Sequence, residues 1–281
     1  MLREDAMIVR LSIGQWTARK FDKSVTRRVA SDYAVDDTVG RYNKTLIARS
    51  AIEGITKAVS AARTFHYENT LPWDDGGGRI LPSQNFLNYS KKMREYRESF
   101  EGAVREFISN YDSYRDDAQA KLGSMFNPTD YPGVREIEHK FKFSTDIEPV
   151  PSAEDFRVSI QNADANRIKK ELEDRVNARV VEATRDLYVR LNTAVGKVAE
   201  KLAVKDAIFR DSLVENVVEL VNLLPKLNVA NDPKLTALTA ETKKAICALE
   251  PESLRKDEGV RAKAAEDAKA ILDKMSAYIG R

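Results

Sequence analysis

Two histidines, His66 and His139, and one cysteine, Cys247, are the chain's whole supply of imidazole and thiol. Neither His-X3-His nor Cys-X2-Cys spacing occurs, so a zinc site built on those ligands is excluded. A Ser/His or Cys/His nucleophilic pair would have to use one of the two histidines, and neither sits in a recognisable motif. His66 lies between Phe65 and Tyr67 at the end of a predicted helix and reads as structural, while His139 falls on the apolar face of a predicted strand and reads as packed. Cys247 belongs to an apolar helical pattern and reads as a reduced, buried thiol. The adjacent carboxylates Asp36-Asp37, Asp74-Asp75 and Asp116-Asp117 offer oxygens to a cation, but no calcium loop surrounds them and such pairs mostly cap helices in solvent. The expectation is a protein with no catalytic residue, no metal and no cofactor.

The most unusual local sequence is residues 68–82, ENTLPWDDGGGRILP, bracketed by Pro72 and Pro82 with three glycines at its centre. Three glycines before an arginine suggest a phosphate cradle. The Gly-Lys-Ser/Thr ending and the preceding strand of a P-loop are missing, and Asp74 and Asp75 would repel phosphate. A structured connection between two helices is the expected role, with Trp73, Asp74, Asp75 and Arg79 as a candidate partner site.

The first 66 residues carry twelve Lys/Arg against seven Asp/Glu, a lean of +5 in a chain whose net charge is +2. From Trp16 the pattern is helical, with Phe21, Val25, Val29 and Tyr33 four apart. Arg19, Lys20, Lys23, Arg27 and Arg28 then fall on the opposite side. Read as one basic amphipathic helix, these five cations are candidate nucleic-acid contacts, with Trp16 as a stacking group.

The elements that must position these residues are long helices. Residues 83–122 carry apolar side chains at alternating gaps of three and four from Phe86 to Leu122, with Ser83 as expected N-cap and Gly123 as expected stop. The aromatics share one face and seven Lys/Arg balance seven Asp/Glu, so the stripe is expected to be core, with a solvated back. A second helix is expected from Asp36 or Asp37 to about Phe65, folding back on the first as an antiparallel pair. Residues 6–13 read as a strand. Residues 137–143 and Phe156, Val158 and Ile160 read as a β-hairpin, which the N-terminal strand would join to make the three strands that independent stability requires. A very long helix is expected over 163–202, a shorter one from Asp211 or Ser212 to Pro225, one after Asp232-Pro233, and a last one over 257–279. That last helix has so thin an apolar stripe that it should dock loosely or on another subunit.

Charged residues make up 32% and apolar ones 42%, a globular composition. The N-terminal stretch MLREDAMIVRLSIG has too short an apolar run for a signal peptide, and no run is long enough to span a membrane. A cytoplasmic location without membrane contact is expected.

Residues 61–67 (AARTFHY), Trp73, residues 78–82 (GRILP), Asn88-Tyr89, Phe107 and Tyr111 resemble a family of uncharacterised proteins of bacteriophages and integrative elements. Members are often encoded near MoxR-type AAA+ ATPases and VWA-domain proteins. The resemblance covers about the first half of the chain. It implies an accessory role in a phage or mobile-element module and carries over no catalytic residue.

Together these readings predict a mainly α fold of long antiparallel helical hairpins with a small β-hairpin between them. The expected division is 1–125, 126–162 and 163–281. The expected function is non-enzymatic: a self-associating helical assembly or partner-binding protein, with an AAA+ ATPase among its candidate partners. The alternative is a nucleic-acid-binding protein using the basic N-terminal residues.

Overall fold

The computed structural model describes residues 2–152, 162–204 and 209–279. Helix accounts for 69% of the structure and strand for 12%. The expected arrangement of helical hairpins around one small β-hairpin is not what forms. Four strands from three separate stretches of the sequence make an antiparallel sheet in the order β4-β5-β1-β6. These are β1 Ala6–Gly14, β4 Leu71–Pro72, β5 Gly78–Pro82 and β6 Lys142–Pro149. A separate two-stranded sheet pairs β2 Arg19–Phe21 with β3 Asn43–Thr45. Only β1, with nine residues, and β6, with eight, are long enough for an alternation to show. β4, β5, β2 and β3 have two to five residues each, too few for a period to show. Ile137 sits in a short helix, α6 Val134–Glu138, and the strand begins only at Lys142. His139 follows that helix and is exposed, not packed on a strand. Phe156, Val158 and Ile160 lie outside the described residues.

The helices also depart from expectation, each for a local reason. After the four-residue α1 Leu2–Asp5 and β1, the expected helix from Trp16 starts only at α2 Lys23–Asp32. Ala18 takes a left-handed conformation (φ 52°), and the Asp22 carboxylate accepts from the N–H groups of Ser24 and Val25, which fixes the helix start. The helix expected from Asp36 is confined to α3 Glu53–Glu68, because β3 and a 3-10 turn, Arg49–Ile52, occupy the residues before it. The forty-residue rod over 83–122 is broken at Asn110 into α4 Phe86–Ser109 and α5 Tyr111–Leu122, after a 3-10 turn at Ser83–Asn85. Here Ser109 Oγ and Asn110 Nδ2 both donate to the Glu106 carbonyl at 2.8 Å. The Asn110 N–H then turns to Phe107 O instead. Gly123, at φ 51°, ends α5 as its position suggests.

The C-terminal half follows its periodicity more closely. The helices are α7 Asn162–Ala203, α8 Ser212–Leu227, α9 Pro233–Thr242, α10 Pro251–Lys256 and α11 Glu258–Ile279. A π-helical segment, Lys243–Cys247, follows α9. α8 runs two residues past Pro225 instead of stopping there. α11 is not loosely docked: Ala264, Ala268, Ile271 and Met275 are buried and the helix lies along α7. Its alanines remove bulk, so few large side chains suffice for a close approach.

The chain divides into two compact units, each gathered from separate stretches. The first comprises Met1–Arg10, Tyr67–Tyr89 and Asp146–Arg281. Its core joins Leu187, Leu191, Val195 and Val198 of α7 to Val217, Val221 and Leu224 of α8 and to the inner face of α11. Tyr188 stacks on Tyr278 at 5.1 Å and donates its hydroxyl to Asp232, the N-cap of α9. The second unit comprises Leu11–His66 and Ser90–Thr145. Ile55 and Val59 of α3 meet Phe100 and Phe107 of α4 and Tyr111 of α5 in its core, so the aromatic stripe is buried as expected.

Candidate partner-docking surface

The five cations and Trp16 are not brought onto one helical face. Arg19 and Lys20 lie on β2, and Lys23, Arg27 and Arg28 on α2, all five exposed. Trp16 is packed against Phe107 (6.2 Å) and Tyr111 (6.0 Å) in the second unit's core, so its ring is engaged there.

The second unit does expose a groove that the sequence did not single out. Its base is Thr26 and Ala30 of α2, both buried. Val29 and Tyr33, one helical turn apart, form one wall, and Val35, Val39 and Tyr42 of the following loop form the other. The depression has a volume of about 450 Å³. Tyr33 is 77% exposed and Val39 73%. Six of the thirteen large hydrophobic residues left exposed among the described residues (Phe21, Val29, Tyr33, Val35, Val39 and Tyr42) fall within this one stretch of chain.

The loop wall is clamped at both ends. The Val35 N–H donates to Ala30 O at 2.9 Å, after Ala34 turns the chain at φ 53°. The Tyr42 N–H donates to Thr26 Oγ1 at 3.0 Å, and the Asp22 N–H to Tyr42 O at 2.9 Å. Within the loop, Asp36 accepts from Thr38 through both the N–H and the hydroxyl. Those bonds, the hydroxyl's first, hold the Asp36 carboxyl below the usual range.

The charge around the groove is sorted by these same contacts. Lys44 on β3 is only 6% exposed and meets Asp130 at 2.6 Å, Asp22 at 3.4 Å and the Met125 carbonyl at 3.0 Å. Burial opposes its charge, but the two carboxylates outweigh burial and raise its pKa. Asp22 is lowered by its bonds from Ser24 and Val25, with Lys44 adding to them. Asp37 sits 3.7 Å from Arg27. Arg41 lies over the Phe21 ring at 4.7 Å. Arg19, Lys20, Lys23 and Arg28 have no ion-pair partner among the described residues.

The other candidate, the glycine-rich segment, is the β4–β5 hairpin of the first unit, with Leu71 opposite Ile80. Asp74 accepts from the Gly78 N–H at 2.8 Å and from Arg10 at 2.9 Å. Burial opposes the charge there, but these donors pull the Asp74 pKa down. The turn's donors are thus committed to a carboxylate of the chain itself, where a phosphate cradle would leave them open. Arg79 donates to Thr70 Oγ1 (2.6 Å) and Thr70 O (3.0 Å), and Arg190 joins it on the Thr70 carbonyl at 2.8 Å. Trp73 packs on the first unit's core. Only Asp75 of the four candidates faces water fully.

Among the described residues no group of three or more His, Cys, Asp or Glu is placed to hold a metal ion, and no helix is long and apolar enough to cross a membrane. Burial raises the Cys247 pKa, which disfavours the thiolate a nucleophile needs. No protein-family model, no curated protein and no solved structure matches the chain.

Proposed function

We propose that this is a non-enzymatic partner-binding protein whose docking surface is the α2 groove. The observation that carries the reading is the concentration of exposed apolar side chains at Phe21, Val29, Tyr33, Val35, Val39 and Tyr42. Apolar surface gathered on one side of a folded unit is the usual mark of an interaction site. Valines at three of the six positions favour a protein partner over nucleic acid, since an aliphatic group offers a base no stacking face. The resemblance of residues 61–111 to phage and integrative-element proteins supports an accessory role in such a module. Self-association belongs to the same reading. Between Asn166 and Glu182 no side chain of α7 is fully buried, and Ile168 and Leu172, four residues apart, are half-exposed there without packing on the core.

A photo-crosslinking side chain placed at Val39 in the intact protein, activated in the producing cell, tests the proposal. A discrete protein adduct is expected. Adducts to nucleic acid alone, or none, overturn it. Light scattering over a concentration series tests self-association, with a dimer or larger species expected at about 10 µM, a range where a useful interface is occupied.

A further inference from the structure

We infer that the cleft between α8 and α9 in the first unit binds a small amphipathic acid, a carboxylate carried on an apolar body. The inference stands apart from the docking reading, because every residue of the cleft belongs to the unit that lacks the α2 groove. The cleft is made of two hollows, of about 400 Å³ and about 270 Å³. Val221, Asn222 and Lys243 line both, so the hollows meet at those residues. From Val218 to Asn228 the cleft follows the C-terminal part of α8 for about 15 Å.

Each wall has a local irregularity that opens it. Pro225 lies inside α8, where it removes the N–H that would bond the Val221 carbonyl and its ring crowds that turn. On the other side the chain leaves α9 as the π-helical segment Lys243–Cys247, a form that recurs at functional sites.

The lining sorts into groups already used and groups left open. Leu224 and Leu235 are buried and give the larger hollow an apolar floor. Thr236 Oγ1 donates to Asp232 O at 2.9 Å and Thr239 Oγ1 to Leu235 O at 2.7 Å. Asn228 accepts from the Asp232 N–H at 2.9 Å and donates to Asp232 O at 3.1 Å. Asn222 and Lys243, the two polar residues both hollows share, have no side-chain partner among the described residues. No carboxylate lines either hollow, and Glu241, two residues before Lys243, is held by Lys274. Lys243 is therefore the only charge in the cleft.

A concave, mostly apolar surface with a few convergent polar groups is the form that small-molecule sites take. The Lys243 ammonium and the Asn222 amide both donate, which suits a carboxylate. One positive charge matches a monoanion, where a phosphate monoester brings nearly two negative charges. The apolar body then lies over Leu224 and Leu235, and the acid sits where the hollows meet. Cys247 lines the smaller hollow, and Lys243 is near enough to its thiol to favour ionisation against the effect of burial.

Cys247 is the chain's only cysteine, so its alkylation reports on this cleft alone. Alkylation of the intact protein by iodoacetamide, followed by mass spectrometry, is titrated with decanoate and with decylammonium, both below micelle-forming concentration. A carboxylate at Lys243 offsets the charge that favours the thiolate, the reacting form, and so slows the reaction. Decanoate should slow it saturably. Decylammonium should need at least about fivefold more for the same effect, and Lys243→Glu should reverse that order, a scale set by one exposed charge. Ala240→Phe puts a ring into the larger hollow and should raise the decanoate requirement by about fivefold or more. Ala240 and Lys243 are exposed, so both variants should fold, which circular dichroism checks. Equal potency of the two probes, or an order that Lys243→Glu leaves unchanged, overturns the acid. Decanoate that leaves alkylation unaltered, or acts undiminished in Ala240→Phe, overturns the site. Neither result bears on the crosslink at Val39, which tests the docking reading separately.

Discussion

The backbone N–H of Tyr42 donates to the side-chain oxygen of Thr26 at 3.0 Å, and that one bond ties the far end of a sixteen-residue excursion back to the first turn of α2. The same hydroxyl donates to Asp22 O at 2.8 Å, so Thr26 closes the groove by using its oxygen in both senses. Thr26→Val keeps the shape and removes both bonds, leaving the Tyr42 N–H without an acceptor. The expected cost is about 1–3 kcal/mol, felt locally. Hydrogen exchange should speed up over residues 35–42, while Thr26→Ser should restore protection. Unchanged exchange in Thr26→Val would show that the loop wall does not depend on this link.

Lys44 is the second unit's buried cation, and its three contacts draw Asp22, Asp130 and the Met125 carbonyl together. Lys44→Met fills similar space but leaves two largely buried carboxylates unpaired. A loss of about 3–5 kcal/mol is expected in denaturant unfolding. Adding Asp130→Asn should recover part of it, since one uncompensated charge is then gone. Strict additivity of the two substitutions would contradict the pairing.

The β4–β5 turn depends on Gly78 having no side chain. A Cβ there would lie 2.6 Å from Asp74 Oδ2 and 3.0 Å from its Cγ, so Gly78→Ala must expel the carboxylate and with it the Arg10 contact. A loss of about 1–3 kcal/mol is expected. Asp74→Ala in the same chain should make Gly78→Ala nearly neutral. In the parent protein Asp74 has its pKa lowered on folding, so its contribution is complete above the ordinary value of 3.8 and fades as pH falls below it. Acid titration of stability should show this loss in the parent protein and a smaller one in Asp74→Ala.

Alkaline conditions probe the aromatic core of the second unit. Burial pushes Tyr111 up to about 12, with Arg115 partly opposing, and its hydroxyl donates to Pro132 O at 3.0 Å. Burial likewise raises Tyr131, which donates to Leu46 O at 2.8 Å. A raised pKa means the folded state holds the proton more tightly. The stabilisation is therefore complete below the ordinary value of 10 and is lost as pH climbs from 10 through about 12. Tyr111→Phe should be less stable than the parent at neutral pH and lose less of its stability over that rise. Unfolding followed by tryptophan fluorescence, through Trp16 beside Tyr111, measures both.

Much of the C-terminal half was legible because its helices are long enough for a period to declare itself. Leu187, Leu191, Val195 and Val198 recur at three and four and are all buried. The first half was less legible because short polar contacts decide its breaks. A threonine, an aspartate and two side chains sharing one carbonyl start or end elements where the apolar pattern runs straight through, as at Asp22 and Asn110. The groove had a readable component: Val29 and Tyr33 were visible as an apolar pair, but they were assigned inward on a helix beginning at Trp16. With the helix starting at Lys23, Thr26 and Ala30 take the inner positions and Val29 and Tyr33 are left outside. The cations at 19–28 were read as one helical group, but β2 and α2 divide them.

The strand order β4-β5-β1-β6 has a consequence for synthesis on the ribosome. β1 is complete once Gly14 is made, yet its neighbours begin at Gly78 and Lys142. At about 5–20 residues per second, the nascent chain waits roughly 3–13 s for β5 and about twice as long for β6. Local hairpins close in about 1–10 µs, so nothing but distance along the chain sets this delay. Through that interval the Ile8-Val9 segment, later the most deeply enclosed part of the N-terminal region, is an unmatched strand on both sides. The vulnerable state for aggregation, and the one a chaperone at the ribosome would meet, is therefore the growing polypeptide and not the finished fold.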